Sequence, residues 1–125
     1  MKYRLLIADD LVDSADSLGL LMRHAGHEVD IAYDGEAAWQ LAESHRPDAA
    51  LLDIEMPKLS GYDVCRRIRE QSWGRQMFLV AITGWGEEEV HTRVAAAGFD
   101  HHVVKPVDPS ELERVLLERA SRPAR

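Results

Sequence analysis

The stretch Ala49-Ala50-Leu51-Leu52-Asp53 is a short apolar run that ends abruptly on a carboxylate. A run of this length, bounded by polar residues and too short for amphipathic helical turns, is typical of a buried strand in a parallel sheet. Open α/β sheets bind their ligands at the carboxyl ends of their strands. Asp53 is therefore predicted to lie at the functional edge of such a sheet.

Five strands and five helices alternate in the structure that the sequence predicts. The strands are predicted at residues 5–8, 28–31, 49–53, 78–82 and 100–104. Strands that alternate with helices imply a parallel sheet covered on both faces, with right-handed crossovers. The second and fifth strands are half polar, which places them at the edges. We therefore predict an α/β fold, the flavodoxin-like (βα)5 three-layer sandwich with strand order 2-1-3-4-5.

Capping residues mark the predicted helix starts. Asp34, Ser60 and Asp108 are predicted N-caps of the second, third and fifth helices, because each stands just before a segment with helical spacing. The fourth helix is predicted at residues 87–97 and is ended by Gly98, since glycine is favoured just past a helix end.

The apolar positions predict which helix faces reach the core. Cys65, in the third helix, is predicted to be a small core residue and not a reactive thiol. Arg66, Arg67 and Arg69 of the same helix are predicted to form its solvated face. The apolar face of the first helix, which begins near Val12, is predicted to contain Ala15, Leu18, Leu21, Met22 and Ala25.

The bulk composition indicates one domain, at residues 1–120, followed by a tail or linker remnant at residues 121–125. The formal charge of -7, from 15 basic and 22 acidic residues, argues against non-specific nucleic-acid binding. A single cysteine fits a reducing compartment. No signal peptide and no stretch of roughly 20 apolar residues is seen. We therefore expect a cytoplasmic domain without a membrane span.

Polar side chains follow several of the predicted strands and should meet at one edge of the sheet. Asp9 and Asp10 follow the first strand and Asp53 ends the third, and three converging carboxylates call for a cation, for which oxygen ligands favour Mg²⁺. Thr83 and Lys105 follow the fourth and fifth strands. Together these groups can stabilise a phosphoryl group in transfer. Asp53 is the candidate nucleophile, which would form an aspartyl phosphate.

Each of these residues also has an ordinary structural explanation. An acidic residue after a strand often caps the next helix, as Asp10 could do, and threonine after a strand is common. Their joint placement at the strand ends of one sheet is hard to obtain from capping alone.

In this arrangement the sequence resembles the receiver domain of bacterial two-component response regulators, from about Tyr3 to about Ala120. Details of the fourth and fifth strand ends resemble receivers attached to hybrid sensor histidine kinases. The motifs that carry the resemblance are Asp9-Asp10, Asp53 with Met56-Pro57, Thr83-Gly84 and Lys105-Pro106.

The resemblance implies a phosphorelay function in signal transduction and a set of metal ligands. Asp53 would be phosphorylated by a sensor histidine kinase or a phosphotransfer protein. Asp10 and Asp53 would ligate Mg²⁺ directly, Asp9 would act mainly through water, and the backbone carbonyl of Glu55 would be a further ligand. The signal would then pass to a downstream protein partner, with no nucleic acid bound by this domain alone and no membrane contact.

The resemblance also implies a switch. Lys105 would pair with the phosphoryl oxygens, Thr83 would swing in to bond one of them, and the bond to Pro106 would be cis. The family usually has an aromatic residue three positions before the lysine, as a rotamer switch coupled to the threonine. This sequence has His102 there, which departs from the pattern and leaves the nature of the switch open.

Three other functions remain open at this point. A flavodoxin-like FMN carrier needs a hydroxyl- and glycine-rich phosphate loop after the first strand, where Asp9 and Asp10 would repel phosphate instead. An aspartyl phosphatase would use Asp53-Ile54-Glu55, but such enzymes place that motif after their first strand and carry a cap domain. An inactive receiver kept as a binding module is disfavoured, because every chemical residue is present.

Overall fold

The apolar runs of the sequence form the inner strands of one parallel sheet in the computed structural model, which describes residues 2–84, 86 and 88–121. Each neighbouring pair of strands is parallel, and their order is β2-β1-β3-β4-β5, as the sequence predicts. Within the described residues the strands are β1 (Arg4–Ala8), β2 (Glu28–Ala32), β3 (Ala49–Asp53), β4 (Phe78–Thr83) and β5 (His101–Val104).

A helix follows each strand, which confirms the flavodoxin-like sandwich.

In the described ranges, no helix has the length and apolar character needed to cross a membrane. The predicted helix start at Glu87 and residues 122–125 of the predicted tail lie outside those ranges. The helices are α1 (Val12–His24), α2 (Gly35–His45), α3 (Gly61–Glu70), α4 (Glu88–Ala97) and α5 (Pro109–Ala120), with a short 3-10 turn at Ser72–Gly74.

Alternate side chains of each inner strand point to opposite faces of the sheet, and both faces are buried. Leu5 and Leu51 pack with Leu112 of α5 in one cluster, which also contains residues of α1. Leu6 and Leu52 belong to the opposite cluster, which contains residues of α2, α3 and α4. α1 and α5 therefore cover one face and α2, α3 and α4 cover the other.

The three predicted N-caps are confirmed. Asp34 Oδ1 accepts a hydrogen bond from the backbone N–H of Ala37 at 2.8 Å, and Asp108 Oδ1 accepts one from Ser110 at 2.9 Å. Ser60 Oγ accepts from the third residue after it, Asp63, at 3.2 Å. Each cap satisfies a helix N–H group that has no partner inside its helix.

The prediction that Leu21 and Ala25 face the core is wrong. Leu21 is 48% exposed, and Ala25 is also exposed. Gly19 takes a place in the buried stripe instead, because α1 approaches β2 so closely there that a Cβ would lie 2.7 Å from Ile31 Cδ1. The buried residues of α1 are Ala15, Leu18, Gly19 and Met22.

The prediction that Arg69 belongs to the solvated face of α3 is also wrong. Its guanidinium pairs with Asp100 Oδ2 at 2.8 Å, and its side chain is only 18% exposed. It also donates to the carbonyl oxygens of Gly98 at 2.9 Å and of Gly74 and Met77 at 2.8 Å. Arg69 thus joins the end of α3 to the end of α4 and to the segment before β4.

Cys65 is buried in the core, as predicted. Burial raises the pKa of its thiol to about 12, so roughly one molecule in ten thousand carries the thiolate at pH 8. We expect no reaction of the native protein with Ellman's reagent at that pH, and one equivalent after unfolding in guanidinium chloride. Rapid native labelling would show that α3 separates from the sheet.

Candidate functional site

Three carboxylates meet at the carboxyl edge of the sheet, as predicted. β1 and β3 are paired neighbours, with Ala8 opposite Leu52, so the residues that follow β1 lie beside the end of β3. Asp9, Asp10 and Asp53 each present an oxygen within 4.8 Å of the others. Asp9 and Asp53 are buried, at 5% and 3% exposure, whereas Asp10 is exposed. The cluster is an oxygen-donor set of the kind that hard divalent cations prefer.

The capping explanation for Asp10 is wrong in this structure. The N-cap of α1 is Leu11, and no side chain caps that helix. Asp9 Oδ1 instead accepts a hydrogen bond from the N–H of Leu11 at 3.0 Å, which fixes the turn after β1. Burial raises the pKa of Asp9; the bond from Leu11 opposes this, and the neighbouring Asp53 adds to it, so that the net shift is upward.

Lys105 lies between the two buried carboxylates. Its Nζ is 2.6 Å from Asp53 Oδ2 and 3.5 Å from Asp9 Oδ2. Its backbone N–H donates to Thr83 O at 2.7 Å, and its peptide bond to Pro106 is cis, the isomer that the family resemblance implies. Burial alone would lower the pKa of Lys105, but the hydrogen bond to Asp53 and the two negative charges outweigh it and raise that pKa.

Both oxygens of Asp53 are held in place. Oδ1 accepts the N–H of Glu55 at 3.0 Å, and Oδ2 accepts from Lys105. Such fixed donors orient the carboxylate without removing its lone pairs, because each oxygen can accept more than one hydrogen bond. The arrangement offers an oriented, negatively charged nucleophile beside a cation that can stabilise charge on an incoming group.

Asp10, Asp53 and Lys105 line an open cleft of about 670 Å³. Thr83, at the end of β4, is buried to 1% exposure and borders it. His102 is not among the residues that line the cleft; it is half-buried on β5, where its ring stacks on His91 of α4 with the centroids 5.7 Å apart. The described residues that line the cleft are Asp10, Leu11, Asp53, Glu55, Met56, Pro57, Thr83, Gly84 and Lys105.

Sequence reasoning missed Gly61, which lies directly against the backbone of Asp53. A Cβ built on Gly61 would lie 2.4 Å from the carbonyl oxygen of Asp53 and 2.8 Å from Ile54 Cα. Only glycine therefore lets α3 begin this close to the end of β3. The available signal was the position of Gly61 directly after the predicted cap Ser60.

Substituting Gly61→Ala should lower the free energy of unfolding by about 2 kcal/mol, because the backbone it meets cannot move aside cheaply. Denaturant unfolding measures this. Gly84→Ala is the control, since a Cβ there meets nothing within 4 Å. Equal stability of Gly61→Ala and the wild type would show that the contact is loose.

Comparison with known proteins identifies the family of this chain. Residues 5–117 match the family model described as the response regulator receiver domain. The chain belongs to this family. Such domains act in two-component signalling, so the match favours the receiver interpretation over the flavin-carrier and phosphatase alternatives.

Its relatives include larger regulators. The receiver is 34% identical to a probable transcriptional regulator from Cyanophora paradoxa, over 98% of this chain and 51% of that protein. It is 31% identical to an uncharacterised 14.6 kDa protein from Leptolyngbya boryana, over 91% of this chain and 87% of that one. The chain spans about half the length of the first of these relatives.

A solved structure agrees closely in fold. The receiver domain of a sensor histidine kinase from Pseudomonas aeruginosa, determined with magnesium coordinated in its active-site cleft, superimposes with a TM-score of 0.88. The two chains are 29% identical over 98% of this one and 100% of the other.

Proposed function

We propose that Asp53 accepts a phosphoryl group from a phosphohistidine donor, in a reaction that depends on Mg²⁺. The observation that carries the proposal is the buried Asp53 carboxylate, held by Lys105 at 2.6 Å and open to the cleft. A carboxylate oxygen attacks phosphorus, the P–N bond of the phosphohistidine breaks, and the imidazole leaves with the bonding electron pair and takes up a proton. The product is an aspartyl phosphate.

The carboxylate cluster fits the metal that this reaction requires. Asp10 and Asp53 would ligate Mg²⁺ directly, Asp9 would act mainly through a water molecule, and the backbone carbonyl of Glu55 would complete the protein's share. The spacing of the three carboxylates and the magnesium in the Pseudomonas aeruginosa domain support this assignment. When bound, the ion supplies positive charge for the phosphoryl oxygens.

Lys105 and Thr83 have different roles in the proposal. Lys105 moves its ammonium from the Asp53 oxygen to a phosphoryl oxygen, which is a short move because it already contacts the nucleophile. Thr83 offers its hydroxyl to a second phosphoryl oxygen from the end of β4. Both residues thus respond to the new group, and through them β4 and β5 are coupled to the state of Asp53.

The proposed activity is tested by intact-mass measurement. The protein is incubated with acetyl phosphate and with a phosphorylated histidine kinase, each with Mg²⁺ and with EDTA in its place. We expect one phosphoryl group per chain with Mg²⁺ and none with EDTA. An unchanged mass with both donors would overturn the assignment.

We further propose that Thr83 and His102 form the switch and that α4, β5 and α5 carry the signal to a protein partner. The stacking of His102 on His91 links β5 to α4 and supports this path. Adding beryllium fluoride with Mg²⁺ should shift NMR resonances of these three elements, and His102→Phe should preserve the shifts. Changes confined to α1 and β2 would contradict the proposed output surface.

The wider setting is also a proposal. We propose that the receiver works in the cytoplasm, in a relay with a sensor histidine kinase or phosphotransfer protein, and that it is attached to a hybrid sensor kinase. The Pseudomonas aeruginosa likeness supports this attachment, whereas the Cyanophora paradoxa relative favours a transcriptional regulator. The reading frame on both sides of this segment decides between them.

A further inference from the structure

A ladder of aromatic and arginine side chains lies on the surface where α2 meets α3. The rings of Trp39 and Trp73 stack with their centroids 5.9 Å apart and an interplanar angle of 30°. The guanidinium of Arg67 lies over Trp39 at 5.9 Å, and that of Arg46 lies over Trp73 at 5.3 Å. Both tryptophans are half-buried, and both arginines are exposed.

The same pattern continues on the other side of α3. Arg93 of α4 lies 4.8 Å from the ring centroid of Tyr62, and Arg66 lies 6.0 Å from it. Four exposed guanidinium groups therefore lie over aromatic rings on one side of the molecule. We define the arginine face as Arg46, Arg66, Arg67 and Arg93.

The charge of the arginine face is opposite to that of the whole chain, which carries -7. In the part of the chain that the structure describes, only Arg66 of the four has a carboxylate within 4.0 Å, namely Asp63 at 3.6 Å. An arginine stacked on an aromatic ring keeps its N–H edge available for a carboxylate, and its rotamer is already restricted. The arginine face thus concentrates positive charge on an otherwise acidic protein.

We propose that the arginine face is a docking surface for an acidic segment of a protein partner. Its guanidinium edges would bind carboxylates, and the half-buried Trp39 and Trp73 would contact apolar side chains between them. Tryptophan, tyrosine and arginine are the residues that most often dominate the energetics of protein interfaces. A protein segment fits better than a nucleic acid, because apolar side chains can separate its carboxylates, so that the net charge of -7 repels it less than it repels a dense phosphate backbone.

The arginine face is distinct from the phosphoryl site. None of its four residues lines the cleft around Asp53. A segment held by these four residues therefore does not have to contact the cleft residues.

The test uses a fluorescein-labelled peptide of alternating glutamate and leucine residues, with binding followed by anisotropy at low and high salt. Replacing Arg46→Gln and Arg67→Gln together should weaken binding about 10-fold or more. Arg67→Lys keeps the charge but loses the planar stacking group, and we expect it to weaken binding also. When the peptide is titrated into the protein, the NMR signals of the Nε–H groups of the arginine face should shift.

The matched control is Arg114→Gln with Arg119→Gln, which removes the same charge from α5. Arg119 also lies over an aromatic ring, Phe78, at 5.2 Å, so the control tests location and not merely arginine stacking. Equal weakening in the control, no peptide binding at low salt, or equal affinity for a single-stranded oligonucleotide of matched charge would each overturn the proposal. Thermal unfolding and acetyl phosphate labelling confirm that the variants are folded.

Discussion

The Asp53→Asn variant will remain unmodified under conditions in which the wild type takes up one phosphoryl group from acetyl phosphate in the presence of Mg²⁺. The substitution keeps the size of the side chain, but an amide is a far weaker nucleophile than a carboxylate. It also removes the charge that Lys105 contacts at 2.6 Å. We therefore expect complete loss of labelling, measured by intact mass, and loss of the shifts caused by beryllium fluoride.

The control for this prediction is Asp63→Asn. Asp63 is an exposed residue of α3 that does not line the cleft, so its amide variant should be labelled like the wild type. If Asp53→Asn and the wild type took up equal amounts of phosphate, the phosphoryl acceptor would be a residue other than Asp53. Peptide mapping after borohydride reduction of the acyl phosphate would then locate it.

Asp10→Asn should abolish Mg²⁺-dependent labelling and weaken the affinity for Mg²⁺ by more than about 10-fold. Asp10 is the exposed member of the carboxylate cluster, and its loss leaves two carboxylates that Lys105 already contacts. The fold should persist, and stability should not fall, because like-charge repulsion within the cluster decreases. Mg²⁺ titration by NMR and thermal unfolding measure the two effects.

Asp13→Asn is the matched control for the metal prediction. Asp13 is an exposed acid in the first turn of α1, three residues further along the chain, so it changes the charge by the same amount. Its variant should bind Mg²⁺ with nearly wild-type affinity. Equal losses in both variants would mean that Asp10 acts only through the general field of the acidic surface.

The sequence was sufficient for the fold and for the placement of the chemical groups. The periodicity of the apolar residues identifies the strands, and the half-polar edge strands determine their order. Because parallel strands share one carboxyl edge, the positions of Asp9, Asp10 and Asp53 in the chain were enough to predict their meeting in space. The strand order and the meeting of the carboxylates follow from backbone geometry, and the order of residues in the sequence is enough to predict that geometry.

Side-chain partners that are distant in the chain were not predictable in the same way. Arg69 has the spacing of a surface residue, and nothing near it shows that carbonyls of two later segments converge on its guanidinium. Gly61 and Gly19 are needed because another element passes within van der Waals distance, which depends on packing and not on local propensity. Leu21 was misplaced for the same reason, since packing against the sheet decides which residues of α1 are buried.

Arg69 has a mechanical consequence for α4. The guanidinium fastens the C-terminal end of α4, through Gly98, to Met77 and Asp100. Among the described residues, the first turn of α4 makes no hydrogen bond or ion pair to α3, and His91 in that turn stacks on His102 of β5 instead. If Thr83 moves on phosphorylation, as we propose, the N-terminal end of α4 should move more than its C-terminal end. Amide exchange should accordingly stay slow near Gly98 in both signalling states and differ most near Glu88.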